Sequence, residues 1–332
     1  MTADAFTAAL DALVRNLFPG ASAQNVQRLS AGATLQTWSF DAADGSERHA
    51  LIMRRSPGGL RGDDSVPLST EAALLQAIHG SGVPVPEVLH VLQPGDGLGD
   101  GFIMRRIDGE TIPRKILRDP AFATARAQLV PQMARALASI HSLDTSGLPP
   151  LPVRTAASTL ATLLQRQHNA PRANSVFEWA LRWLSENLPS DPPSPSLVHG
   201  DFRLGNVIVD ESGLRAVLDL EIAHLGDPAE DLAWICLPPW RFGRIDLPVA
   251  GIAPRRELHA AWEAASGKPV EPERVRWWQA VGSLRWGMGC AAMSEWFTSG
   301  GDATVERGMI GRRVSENELD LLRLLASGDE HA

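Results

Sequence analysis

Between residues 197 and 219 stand three side chains that can do phosphoryl chemistry. The run Leu197-Val198-His199-Gly200-Asp201-Phe202-Arg203-Leu204-Gly205-Asn206-Val207-Ile208-Val209 reads as an apolar strand, a tight loop and a second apolar strand. The loop carries Asp201 and Asn206, and Asp219 follows thirteen residues later, at the end of the short strand Ala216 to Leu218. A carboxylate can orient an attacking hydroxyl and take its proton, while oxygen ligands can hold magnesium against the phosphates of ATP. Asp201 suits the base role, and Asn206 and Asp219 suit the metal.

This segment resembles the catalytic core of the aminoglycoside phosphotransferase-like family, relatives of protein kinases that phosphorylate small molecules. In protein kinases the corresponding loop begins His-Arg-Asp. Here Gly200 replaces the arginine, as small-molecule kinases usually have it, which speaks against a phospho-switched protein kinase. Arg203 falls two residues after the base, where protein kinases carry a lysine, and the resemblance implies that it touches the transferred phosphate or the substrate. Downstream, in Leu225-Gly226-Asp227-Pro228-Ala229-Glu230-Asp231-Leu232-Ala233-Trp234, Asp231 matches the family's aspartate that braces the catalytic loop. Asp227, Pro228 and Glu230 read as the N-cap, first position and capping box of a helix and nothing more. Glu221 could reach the metal through water or simply face solvent.

The resemblance also implies a nucleotide side, earlier in the chain. Ser30, Gly32, Ala33 and Thr34 lie in a short segment similar to the family's phosphate-covering loop. Arg54 aligns by pattern with the lysine that holds the α- and β-phosphates, with Glu71 on the next helix as its ion-pair partner. Arginine departs from that lysine; a guanidinium binds phosphate bidentately but is bulkier. The run Phe102-Ile103-Met104-Arg105-Arg106-Ile107 resembles the hinge that bonds adenine through its backbone, with Met104 behind the purine and Arg106 and Ile107 beside it.

Apolar spacing supplies the elements that must position these groups. Phe6, Leu10, Leu13, Val14 and Leu17 predict an opening helix from Asp4 to Phe18. Strands are expected at Val26 to Leu29, Thr37 to Phe40, His49 to Arg54, Val88 to Leu92 and Gly101 to Ile107, with a helix capped by Ser69 or Thr70 among them. The cluster Gly95 to Asp100 lies between two strands, so it reads as a hairpin turn rather than a phosphate loop. Beyond Asp108-Gly109 long helices are expected at Pro120 to Leu143, Ala156 to Leu188 with a break near Pro171, Arg255 to Ser266, Glu273 to Phe297 and Val305 to Leu325. The fold class is α+β: a bilobal, protein-kinase-like arrangement with an antiparallel-sheet nucleotide lobe over residues 1–107 and a larger, mainly helical catalytic and substrate lobe over 108–332.

Composition limits the partners. The 332 residues carry a formal charge of -8, so no overall positive field attracts nucleic acid or an anionic membrane. No apolar run is long enough for a membrane span, and the N-terminus lacks the basic region of a signal peptide. With Cys236 and Cys290 alone there is neither a disulfide framework nor a four-ligand zinc site, so a cytoplasmic location is expected. Ser266-Gly267-Lys268 is not a P-loop, and the scattered histidines His90, His141, His168, His224 and His259 read as surface or satisfied core residues. The stretch Leu237 to Val270, where the acceptor pocket is expected, holds Arg241, Arg244, Arg255, Arg256 and Lys268 against Asp246, Glu257 and Glu263. Trp240, Phe242 and Trp262 add apolar surface. That balance favours a neutral, anionic or partly hydrophobic alcohol over a polycationic aminoglycoside. The family also includes kinases of choline, homoserine and hydroxyacyl thioesters. The expected function is ATP- and Mg2+-dependent O-phosphorylation of a small hydroxylated molecule; a nucleotide-binding pseudo-enzyme with a regulatory or interaction role is the alternative.

Overall fold

The computed structural model describes residues 2–29, 35–56, 65–301 and 304–326. Helix α1 (Ala3–Leu17) opens with the Thr2 hydroxyl accepting the Ala5 N–H at 3.3 Å. Its apolar face, Phe6, Leu10, Leu13 and Val14, is buried against one side of an antiparallel sheet. The sheet is built from β1 (Ser22–Arg28), β2 (Gln36–Ala43), β3 (Arg48–Ser56), β4 (Val88–Val91) and β5 (Asp100–Arg105), in the order β1-β2-β3-β5-β4. Phe40, Leu51, Met53 and Ile103 point into this side. Helix α2 (Leu68–Ile78) places Leu74, Leu75 and Ile78 in the second core, which continues into the helical part.

One local expectation changes here and another holds. Pro67 stands before α2, and no side chain caps the helix; Ser69 and Thr70 lie inside its first turn. Between β4 and β5 a 3-10 turn, Pro94–Asp96, is closed by reciprocal bonds between Gln93 and Asp96, so the glycine cluster is a hairpin connection.

The helical part begins with α3 (Pro113–Arg118), which periodicity did not reveal because it is only six residues long. Helix α4 (Ala123–His141) starts later than expected, after a 3-10 turn whose Ala121 N–H is accepted by Asp119. It continues through Pro131, a residue that costs an interior helix hydrogen bond, because Leu129, Met133, Leu137 and Ile140 are fully buried around it. Then follow α5 (Ala156–His168), α6 (Ser175–Glu186), β6 (Ser196–Val198), β7 (Val207–Asp210), β8 (Gly213–Val217), β9 (His224–Gly226), α7 (Ala229–Trp234), α8 (Arg255–Ser266) and the long α9 (Pro272–Ser299). The last expected helix is two, α10 (Val305–Gly311) and α11 (Val314–Ala326). Trp277 and Trp278 on α9 sit at the centre of this core, each about 1% exposed. No helix among the described residues is long and apolar enough to cross a membrane.

Candidate active site

Strand β6 pairs with β9, Val198 opposite His224, and delivers the chain to His199. From there the loop is held by one carboxylate. Asp231, fully buried on α7, accepts the His199 N–H at 2.8 Å and the Gly200 N–H at 2.9 Å. His141 Nε2 lies 3.0 Å from the same carboxylate, and Trp262 Nε1 donates to His141 Nδ1 at 3.1 Å. Since Nδ1 is the acceptor, the imidazole presents Nε2–H to Asp231. Burial works to raise the Asp231 pKa, but these donors outweigh it and hold the carboxyl below its ordinary range. Gly200 is required here: its φ is +82°, and a Cβ would lie 2.9 Å from the Ile222 carbonyl oxygen.

So held, the loop presents Asp201 to three side-chain donors. Trp234 Nε1 donates to Oδ1 at 2.7 Å, Asn206 Nδ2 to Oδ2 at 2.7 Å, and Arg203 Nε to both oxygens at 3.1 and 3.2 Å. The Arg203 guanidinium lies over the Trp240 ring, 4.9 Å from its centroid. Asn206 also donates to the Asp201 carbonyl at 2.9 Å, which commits its amide nitrogen and leaves its side-chain oxygen as an acceptor. The Leu218 N–H bonds the Asn206 carbonyl at 2.9 Å, bringing Asp219 beside Asn206. Asp219 has φ +68°, a left-handed conformation that Asp tolerates better than most residues.

Across from this loop, Arg54 on β3 donates to Glu71 Oε1 at 2.7 Å and to Asp219 Oδ1 at 2.6 Å, with Glu221 Oε2 3.4 Å away. Burial opposes the charge on Arg54, but Glu71, Asp219 and Glu221 outweigh it and raise its pKa above the ordinary value. The structure therefore brings Arg54, Glu71, Asp219, Asn206, Asp201 and Arg203 into one cluster. Met104 lies on β5, paired with Ile52 and Val88. Arg106 turns back onto the sheet, its backbone N–H on Ala50 and its Nη1 on Ser39 Oγ at 2.9 Å; Ile107 follows it. Ser30, Gly32, Ala33 and Thr34 lie outside the described residues.

Three supporting groups escaped sequence reasoning. Trp234 lies in the helix the sequence indicates, and its indole N–H also holds Asp201. Glu230 does not cap that helix: it is buried between His224 Nε2 and Arg285 Nη1, both at 3.0 Å. Arg285, on α9, also donates to the Gly200 carbonyl at 3.0 Å and lies 4.1 Å from the Trp234 ring centroid. No local spacing relates residue 285 to residue 200. Asp227 does accept the Ala229 N–H, but its other oxygen takes Arg274 at 2.8 Å and Trp278 at 2.9 Å.

Only part of the stretch expected to form an acceptor pocket lines a cavity. Trp262 belongs to the core through His141, and Arg241 is buried with its donors on the Cys236 and Ile245 carbonyls. A cavity of about 690 Å³ is bounded by α3, residues 238–245, α10 and α11; the contribution of the C-terminal helices depends on tertiary packing.

A two-lobed, kinase-like arrangement with an aspartate-asparagine-aspartate cluster at its cleft is the class of protein this geometry defines. Residues 25–278 match the family described as the phosphotransferase enzyme family, and the chain belongs to that family. Acyl-CoA dehydrogenase family member 10 of Mus musculus is 30% identical over 198 residues, covering 56% of this chain but only 18% of that relative's length. A crystal structure assigned to the aminoglycoside phosphotransferases, from Ralstonia eutropha JMP134, superposes with a TM-score of 0.76 at 19% identity, covering 97% of this chain and 98% of the other. A thermostable mutant of an aminoglycoside phosphotransferase, in ternary complex with ADP and hygromycin B, gives a TM-score of 0.62 at 17% identity, covering 96% and 99%. These two likenesses establish the fold.

Proposed function

We propose that the protein transfers the γ-phosphoryl group of ATP to a hydroxyl of a small molecule, with residues 1–107 as the nucleotide lobe and 108–332 as the catalytic and substrate lobe. The observation that carries this reading is the convergence of Asp201, Asn206 and Asp219 on one cleft wall, with Arg54 reaching Asp219 from the other. Asp201 orients the acceptor hydroxyl and accepts its proton as the oxygen attacks phosphorus and the bond to the leaving ADP breaks. Arg203, anchored on Trp240, faces the transferred phosphate. Arg54, steadied by Glu71, holds the α- and β-phosphates together with the Ser30 to Thr34 segment, while Met104, Arg106 and Ile107 border the adenine. Asn206 and Asp219 have the oxygen donors a magnesium ion takes, and few protein ligands suffice because magnesium keeps waters and phosphate oxygens. When bound, that ion would neutralise charge on the phosphates.

The acceptor is an alcohol other than a polycationic aminoglycoside. The relatives support a narrower choice: the matched segment is a small part of longer chains named for acyl-CoA dehydrogenation, so a hydroxyacyl thioester suits the site. A cytoplasmic location agrees with this chemistry.

The test is calorimetric titration of ATP with and without magnesium, then a phosphate-release screen over hydroxylated metabolites, hydroxyacyl thioesters and aminoglycosides. Magnesium-dependent binding and acceptor-stimulated turnover are expected. Binding without turnover on any acceptor would favour the pseudo-enzyme, and no nucleotide binding would overturn the reading.

A further inference from the structure

Although the chain is acidic overall, with a formal charge of -8, the cavity between α3, residues 238–245 and α10–α11 is basic. Among the described residues, Arg114, Arg241, Arg313 and Arg323 border it, against Glu316 and Asp320. These arginines differ in what they can offer. Arg241 spends its donors on the Cys236 and Ile245 carbonyls, and burial pushes its pKa down to about 10; it builds the wall. Arg114 is exposed on α3 with no hydrogen bond or ion pair to a described residue. Arg313 bonds Glu316 through Nε alone, at 2.8 Å, so its terminal nitrogens stay available. Arg323 stands on the adjoining turns of α11.

Asp320 adds a second sign of a missing partner. Its Oδ2 is buried without a hydrogen bond, and burial pushes its carboxyl up to about 6. A carboxyl so placed readily takes a proton and then donates a hydrogen bond. Guanidinium forks and such a hydroxyl suit anionic oxygens.

Both walls of the cavity run into the catalytic loop. The turn Pro238–Trp240 ends on the ring that carries Arg203, the arginine bonded to Asp201. On the other wall Pro113 precedes Arg114, and its Cγ lies 3.8 Å from where a Cβ on Gly205 would stand. An acceptor whose hydroxyl reached Asp201 would extend its remainder between these walls.

We propose that this cavity binds an anionic group of the acceptor, a carboxylate or a phosphate, clamped by Arg114, Arg313 and Arg323. The inference rests on the phosphotransferase reading. A hydroxy acid and the nucleotide end of an acyl thioester share this chemistry.

Calorimetry of the full chain, saturated with magnesium and ADP, would use two probes that cannot react: glutarate for the carboxylate and free coenzyme A for the phosphates. The variants are Arg114→Glu and the double change Arg313→Gln with Arg323→Gln. Arg114 is exposed, so its variant stays informative if the double variant fails to fold. At least one probe should bind the wild-type chain and lose tenfold or more in affinity in the variants, with magnesium-ATP affinity unchanged. Glutarate binding assigns a carboxylate, and coenzyme A binding a phosphate. Failure of both probes to bind, or equal binding by the variants, overturns the inference while intact magnesium-ATP binding leaves the phosphotransferase reading standing. Anion binding without magnesium-ATP binding would sink that reading instead and leave the cavity an anion site.

Discussion

Arg54 Nη2 lies 2.6 Å from Asp219 Oδ1, so two residues 165 positions apart close the cleft between sheet and catalytic loop. The same guanidinium holds Glu71. Under the proposed function Asp219 must give this bond up to bind metal, and Arg54 must turn its free donors to phosphate. An arginine can keep one fork arm on Glu71 while the other moves, which a lysine's single ammonium cannot match.

Arg54→Met removes the cation from between buried Glu71 and the half-buried Asp219 and Glu221. Breaking one side of a buried ion pair costs about 3–5 kcal/mol, so the denaturant midpoint should fall sharply. Arg54→Lys, which keeps the charge, should recover part of the loss. Equal midpoints for wild type and Arg54→Met would show that the pair contributes nothing to stability.

Asp201→Asn leaves the loop's shape but removes the carboxylate proposed to accept the hydroxyl proton. Turnover should fall by about 10²–10⁴-fold, while magnesium-ATP binding by calorimetry stays close to wild type. Turnover at the wild-type rate would take the base role away from Asp201.

Trp234→Phe keeps an aromatic ring beneath Arg285 and deletes the N–H that holds Asp201 Oδ1. Hydrogen bonds to charged groups contribute about 1.5–3 kcal/mol. If that bond orients Asp201 in the transition state, kcat should drop by about 10–100-fold with the KM for ATP unchanged. A change in KM and thermal stability with kcat intact would reduce Trp234 to a packing role.

Asp320 makes a pH prediction. Its carboxyl is pushed from 3.8 up to about 6, by burial first, with Arg241, Arg323 and Arg313 opposing and Glu316 assisting. The folded chain therefore holds this proton more tightly than the unfolded chain. The group's contribution to stability falls as pH rises from about 4 to 6, and the cost persists above that. Asp320→Asn should stabilise the protein at pH 7 by on the order of 1–2 kcal/mol and give little gain at pH 4. Urea unfolding at both pH values checks this; an equal gain at each would exclude ionisation as the cause.

Much of the candidate site is legible in the sequence, because its parts are neighbours in sequence or follow a strong period. Asp201 and Asn206 share one loop, Asp219 ends the hairpin that follows, and the strand of Arg54 and helix of Glu71 both show their periodicity. Where cues were local but tertiary packing won, the reading slipped: α2 begins without the serine or threonine cap, α4 runs through Pro131 because its buried face outweighs the lost bond, and Glu230 serves Arg285 rather than a helix start. The sequence by itself determined the chemical groups, their order and the α+β architecture, since these follow from residue type and short-range spacing. Only the tertiary structure decided that Trp234 and Arg285 brace Asp201 and its loop, that Trp262 is core rather than pocket wall, and that Arg313 and Arg323 join Arg114 around one cavity. Those contacts span tens to hundreds of residues, and the packing that brings them together leaves no period in the chain.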